Sequence, residues 1–168
     1  MSAKVGIVLG SHSDWPLVEP CYQQLMEFGI EPEVRVLSAH RTPDALRDYV
    51  LDADSRGVCV FVAAAGMAAA LPGAIAAFTT RPVIGIPVPS APLQGVDSLL
   101  SMVQMPPGVP VATVAIGSAG AKNAAVLAVQ IMAIGQPEFT ERLKKFKRNL
   151  AESVDKNSQA LQEQLRRA

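Results

Sequence analysis

The chain has 168 residues, 49% of them hydrophobic, which predicts about one domain with ample material for a core. Its 15 basic and 15 acidic residues cancel, so the charge argues against nucleic acid or an anionic membrane as a partner. We therefore expect a small-molecule partner.

The first predicted strand, residues 5–9, leads into Gly10-Ser11-His12-Ser13-Asp14 and then Pro16, which a first helical turn tolerates. Gly10 lets a ligand approach the backbone, and the unpaired N–H groups of a helix start attract anions. Two serine hydroxyls can turn toward the same oxygens. The pentapeptide therefore predicts a phosphate site, with simple helix capping by Ser13 or Asp14 as the alternative.

Strand and helix patterns alternate along the rest of the chain. The later strands are predicted at 32–37, 58–63, 83–86 and 111–116. The helices are predicted at 17–28, closed by Gly29, at 43–56 with Thr42 as N-cap, at 67–78, at 95–103 within a long loop over 87–110, at 121–133 and at 137–166. This alternation predicts the α/β class, a single three-layer α/β/α domain around a parallel sheet.

The charged C-terminal segment has one narrow apolar stripe, typical of an amphipathic helix. At about 1.5 Å per residue the helix would be roughly 44 Å long, against about 40 Å for the domain. We therefore expect a homo-oligomer in which part of this helix lies on another subunit. The domain core is predicted at 4–134.

Two further patterns concern location. Cys21 and Cys59 lie far apart without a CxxC pattern, which predicts reduced thiols that serve as small apolar side chains. A strand pattern close to the N-terminus leaves no room for a signal peptide, so the expected location is the cytoplasm. The uncharged run 58–78 is interrupted by glycine and proline, which favours a buried strand, loop and helix over a membrane span.

Three loops, 10–14, 38–43 and 63–67, leave predicted strands at the same edge of the sheet, where ligands of parallel sheets bind. In the second loop, His40 can transfer protons near neutral pH and Arg41 offers a permanent charge to phosphate. The alternative for His40 is a capping or core role. Asp14 would repel phosphate and is better suited to accept sugar hydroxyls, so the crevice predicts a sugar phosphate.

The third loop region, 63–70, has almost no side-chain polarity. A ligand group there would meet backbone N–H groups or an apolar niche, which suits a small carboxylate or CO2, although ordinary strand-helix packing explains the composition equally well. The chain has no Walker lysine, no GxGxxG, no GxSxG and no metal-ligand spacing, so we predict neither metal nor nucleotide cofactor. His12 receives no role.

Several motifs together resemble the family of 5-(carboxyamino)imidazole ribonucleotide mutases and aminoimidazole ribonucleotide carboxylases of purine biosynthesis. The resemblance covers residues 5–133. The matching segments are Gly10-Ser11-His12-Ser13-Asp14-Trp15, Ser38-Ala39-His40-Arg41-Thr42-Pro43, Leu71-Pro72-Gly73, Gly95-Val96-Asp97-Ser98-Leu99, Val103-Gln104-Met105-Pro106, Ala115-Ile116-Gly117 and Lys122-Asn123-Ala124-Ala125.

The resemblance implies a flavodoxin-like domain in an octamer whose active sites are completed by neighbouring subunits. It implies His40 as the catalytic group that carries the transferred proton, with no cofactor. The implied substrate-binding residues are Ser11, Ser13 and Arg41 at the phosphate, Asp14 at the ribose, and Gly10, Ser38, Ala39, Ala65, Gly66, Met67 and Leu71.

The subtype is predicted from two segments. His40-Arg41 and Val103-Gln104-Met105-Pro106 resemble the mutase, and the usual Gly-Arg-Ser-Asn segment of the carboxylase is absent. The family's Gly-Ala-Gly-Gly-Ala-Ala-His loop is replaced by residues 64–70, which places Ala70 at the histidine. We expect a mutase; the alternatives are direct carboxylation with CO2, a noncatalytic nucleotide-binding regulator and a flavin-binding flavodoxin relative.

Overall fold

The computed structural model describes residues 4–167, which form a parallel sheet with helices on both faces. The strands are β1 (Lys4–Leu9), β2 (Glu33–Val36), β3 (Val58–Gly66), β4 (Val83–Val88) and β5 (Ala112–Thr113). The helices are α1 (Trp15–Glu27), α2 (Pro43–Ser55), α3 (Leu71–Ala76), α4 (Val96–Val103), α5 (Ser118–Ala133) and α6 (Pro137–Arg167), and a short 3₁₀ turn at His12–Asp14 precedes α1.

The strand order is β2-β1-β3-β4-β5, and every neighbouring pair is parallel. This is the order of flavodoxin-like sheets, in which the direction of strand addition across the sheet reverses between β1 and β3. The predicted α/β class and flavodoxin-like sheet are confirmed. The crevice at such a reversal lies beyond the carboxyl ends of these strands.

Alternating strand residues build a core on each face of the sheet. Val5, Ile7 and Leu9 of β1 pack with α1 and α5, whereas Val8 packs on the opposite face with α2 and α3. Nearly all side chains of β3 are buried, as expected for a strand covered on both faces. The sheet is therefore the middle of three layers.

The long helix α6 is attached only by its first turns. Phe139 is buried, the ring centroid of Phe146 lies 5.3 Å from that of Phe28, and Arg142 donates a hydrogen bond to the Phe28 carbonyl. From Lys147 to the end of the described chain, every residue is exposed. The predicted helix is confirmed, whereas its packing on another subunit stays a prediction.

The predicted helix over 67–78 is wrong at its start. β3 continues beyond residue 63 to Gly66, which pairs with Val88 of a similarly longer β4. Met67 and Ala69 then adopt positive φ angles of 57° and 36°, which a right-handed helix cannot accommodate. The helix therefore begins at Leu71. β5 is also shorter than predicted: the sequence predicts a strand over 111–116, whereas the strand covers only Ala112–Thr113.

The two cysteines are free thiols. Cys21 is fully buried in the core, and burial raises its pKa to about 12, so the thiol stays protonated and packs as an apolar group. Among residues 4–167, no helix has both the length and the apolar character needed to cross a membrane.

Candidate functional site

A cavity of about 820 Å³ lies at the carboxyl ends of β1, β2, β3 and β4. The loops that follow the first three of these strands meet there, as the sequence predicts. The candidate site residues that line it are Gly10, Ser11, Ser13, Asp14, Ser38, Ala39, His40, Arg41, Ala65, Gly66, Met67 and Leu71. His12 is exposed and is not part of this lining.

The loop after β1 brings two hydroxyl groups together. Ser11 is the N-cap of the 3₁₀ turn, and its Oγ accepts a 3.3 Å hydrogen bond from the Ser13 backbone N–H. The two serine Oγ atoms are 2.8 Å apart. Neither Ser13 nor Asp14 caps α1 with its side chain, so the capping alternative is wrong. These hydroxyls can face one ligand oxygen group.

Arg41 connects the loop after β2 to the loop after β1. Its Nη2 donates to the Gly10 carbonyl at 3.0 Å, and its Nε donates to Ser38 Oγ at 3.4 Å. The guanidinium is therefore held beside the loop over 10–14, which we call the serine loop, although Arg41 is exposed. A fixed cation next to two hydroxyls favours binding of a phosphate group.

Thr42 has a different role from the predicted one. Its side chain makes no capping bond to α2; its Oγ1 instead accepts from the Ser38 N–H at 2.9 Å and donates to the Ser38 carbonyl at 3.2 Å. The hydroxyl satisfies the loop backbone instead of the helix start, a competition typical of threonine. The loop over 38–42 is thereby closed on itself.

His40 stands in this closed loop. Its side chain is exposed and makes no hydrogen bond to any residue of the described part of the chain. An imidazole without a protein partner, at the wall of the cavity, is available to exchange protons with a ligand.

Asp14 is the only carboxylate among the residues that line the cavity. Burial raises the pKa of this carboxyl above its usual range, while hydrogen bonds from the Ser11 backbone and the Ser13 side chain lower it. Ser13 Oγ donates to Asp14 Oδ1 at 3.4 Å. The carboxylate oxygens remain able to accept ligand hydroxyls.

A second wall of the cavity is apolar, and it is formed by the end of β3 and the turn that follows it. The Ala69 N–H donates to the Gly66 carbonyl at 3.0 Å, which closes a tight turn. The N–H groups of Met67 and Ala68 donate to no acceptor within residues 4–167. This wall offers methyl groups and backbone donors, which suits a small carboxylate or CO2.

Sequence reasoning missed the contribution of β4. The sequence predicts that β4 ends at 86 and does not assign its following loop to the crevice, whereas β4 ends at Val88, and Val88, Pro89 and Ser90 line the cavity. The available signal was the position of β4 in a parallel sheet, whose carboxyl end lies at the same edge as the others.

The sequence matches the AIR carboxylase family over residues 4–153. The N5-carboxyaminoimidazole ribonucleotide mutase of Pseudomonas aeruginosa is 54% identical over 92% of this chain and 94% of its own. The mutase of Saccharolobus solfataricus is 51% identical over 90% of this chain and 94% of its own. The crystal structure of Treponema denticola PurE aligns with a TM-score of 0.86 and 29% identity, covering 95% of this chain and 98% of that one.

Proposed function

The chain belongs to the AIR carboxylase family, and we propose that it is an N5-carboxyaminoimidazole ribonucleotide mutase of purine biosynthesis. The observation that carries the proposal is the 54% identity, over nearly the whole chain, to a protein of that name. The cavity supports it because its polar and apolar walls suit the two ends of such a substrate.

We propose that the phosphate binds at the serine loop. The paired hydroxyls of Ser11 and Ser13 and the fixed guanidinium of Arg41 supply donors and positive charge there. Asp14 accepts the ribose hydroxyls. The imidazole ring then reaches between His40 and the wall formed by Ala65, Gly66 and Leu71, with Ser38 and Ala39 at its side.

In the proposed reaction, His40 moves one proton in and one proton out. Protonation of the carbamate nitrogen breaks its bond to the carboxyl carbon and releases CO2, and the electron pair of that bond stays on nitrogen. The electron-rich imidazole carbon attacks CO2 to form the new carbon-carbon bond. His40 then removes the proton from this ring carbon, so the net reaction is an isomerisation without a cofactor.

The wall at 65–71 is proposed to receive the carboxylate and then the CO2. The unbonded N–H groups of Met67 and Ala68 can donate to the carboxylate oxygens, whereas the surrounding methyl groups suit neutral CO2. No cationic side chain lies within 63–70 to hold a carboxylate more strongly.

The test is turnover of N5-carboxyaminoimidazole ribonucleotide by the purified chain, followed by formation of the isomer carboxylated on carbon. A parallel reaction supplies aminoimidazole ribonucleotide and bicarbonate at matched concentration. We expect rapid isomerisation and little use of bicarbonate. Bicarbonate-dependent carboxylation with little reaction of the carbamate would instead assign direct carboxylation, and no reaction of either substrate would reject both enzymes.

We also propose a homo-oligomer, an octamer, in the cytoplasm. Two groups of apolar side chains are exposed on the single chain. One comprises Val96, Leu100 and Val103 of α4 with Leu93 in the loop before it, and the other comprises Leu150, Val154, Leu161 and Leu165 of α6. Apolar groups of this extent favour burial against further copies of the chain.

A further inference from the structure

Met67 is the only side chain longer than a methyl group between residues 63 and 70. It lines the cavity, and 66% of its surface is exposed. The residues on either side of it are alanines and Gly66, so the shape of this part of the wall depends on one flexible thioether.

The position carries two energetic penalties. Its φ of 57° lies in the left-handed region, which is strained for a residue with a Cβ and unstrained for glycine. The side chain also leaves its apolar surface exposed, so packing in the core does not explain a methionine here. Strained residues of this kind are concentrated at functional sites.

We propose that Met67 covers the carboxylate end of the cavity and retains CO2 between its release and its recapture. This inference rests on the proposed mutase function. Neutral CO2 has no charge by which a side chain could hold it, so its retention depends on a closed apolar surface that excludes water. An unbranched, flexible thioether can lie over a niche lined by methyl groups.

The cover affects the fate of CO2 and not the proton transfers. If CO2 is recaptured, the ring carbon forms its new bond and the isomer is the product. If CO2 escapes, the nitrogen is left as a neutral amine and the products are aminoimidazole ribonucleotide and free CO2. Removal of the cover should therefore change the ratio of these products.

The experiment uses substrate that is isotopically labelled in the carboxyl carbon, excess enzyme, unlabelled bicarbonate and carbonic anhydrase. The measured quantity is the fraction of label retained in the carboxylated product. We expect the wild-type chain and Met67→Leu to retain the label, because both have a long apolar side chain. Met67→Gly relieves the backbone strain and should lose label, with a several-fold rise in aminoimidazole ribonucleotide formed per turnover.

Gln94 offers a matched control, because it also has a positive φ, 51°, but does not line the cavity. Gln94→Gly should retain label as the wild-type chain does. Full label retention in Met67→Gly would contradict the proposal that Met67 covers the cavity. Label loss in Gln94→Gly equal to that in Met67→Gly would also contradict it. Absence of isomer from the wild-type chain would instead reject the proposed function, so the two failures are distinguishable.

Discussion

At the scale of single residues, the cavity separates groups that bind from the group that reacts. Arg41 donates hydrogen bonds to Gly10 and Ser38, and the hydroxyls of the two serines are hydrogen-bonded to each other. These groups are therefore positioned before a ligand binds. His40, in contrast, is exposed and has no partner among the described residues. Fixed binding groups beside a free imidazole favour proton transfer to a bound ligand.

His40→Asn should keep ligand binding and the fold while removing most turnover. Asparagine preserves a polar side chain of similar size but cannot exchange a proton near neutral pH, and general acid-base catalysis contributes about 10²-fold or more. The measurements are kcat and ligand affinity. His12→Asn is the matched control, because His12 lies in the neighbouring loop outside the cavity lining. Turnover of wild-type size in His40→Asn would remove His40 from the mechanism.

Ser11→Ala and Ser13→Ala should each weaken a phosphorylated ligand by about tenfold, since a hydrogen bond to a charged group contributes about 1.5 kcal/mol. The corresponding nucleoside should bind the variants and the wild-type chain alike. Titration calorimetry with both ligands tests this, and Ser101→Ala, on the exposed side of α4, is the control. Equal losses for both ligands would place the phosphate elsewhere.

Asp14→Asn should stabilise the unliganded protein at neutral pH. Burial raises the pKa of this carboxyl, so the folded chain holds the proton more tightly than the unfolded chain. The charged carboxylate therefore destabilises the fold above its folded-state pKa, and this penalty disappears as the pH falls through that value. The Tm difference between variant and wild type should shrink toward acid pH.

Thermal unfolding over a pH series measures this difference, with the exposed Asp48→Asn as the control. A Tm gain in Asp14→Asn that does not change with pH would show that the carboxylate charge is not its cause.

At the scale of elements, the start of α5 depends on a close backbone contact. A Cβ at Gly120 would stand 1.6 Å from the Ala115 carbonyl oxygen, whereas nothing lies within 4 Å of one at Gly135, beyond the end of the same helix. Gly120→Ala should lower the free energy of unfolding by about 3 kcal/mol or more, and Gly135→Ala should leave it nearly unchanged. Denaturant titration of both variants checks this; equal stabilities would contradict the contact.

The elements predicted correctly from the sequence are those whose local pattern and tertiary surroundings agree. The apolar run of β1 and the Pro43 start of α2 are examples, and the three loops at one edge follow from parallel strands. Residues 67–70 were predicted as helix because alanine and methionine favour helices. The pairing of Gly66 with Val88 extends β3 and forces a sharp turn, which local propensity does not encode.

The positions of the candidate site residues in one cavity could be predicted because each follows a strand. The hydrogen bonds between Thr42 and the Ser38 backbone could not be predicted. A threonine before Pro43 can hydrogen-bond either to the N–H groups of the helix start or to the backbone of its own loop, and the sequence is the same in both cases. The strain at Met67 likewise depends on where β3 ends. Those details are set by tertiary contacts.

At the scale of the whole molecule, the second half of α6 exposes apolar side chains that the core of the same chain does not contact. α6 has 31 residues, about 46 Å at 1.5 Å per residue, and its contacts with the core end near Phe146. Val154 and Leu161 lie beyond that point on one face of the helix. A helical segment of this length is only marginally stable in water without tertiary contacts, so we expect it to pack against another copy of the chain.

The last prediction is that Val154→Lys combined with Leu161→Lys dissociates the oligomer without unfolding the subunit. Both side chains are exposed on the single chain, so two lysines there should leave the core intact while placing charges in a desolvated contact between copies. Asn149→Lys with Gln159→Lys adds the same charge away from the apolar stripe and should leave the assembly whole. Light scattering gives the mass and circular dichroism the helix content. A wild-type chain that is monomeric at micromolar concentration would contradict the oligomer, and an unchanged mass in the Val154 and Leu161 variant would remove this stripe from the interface.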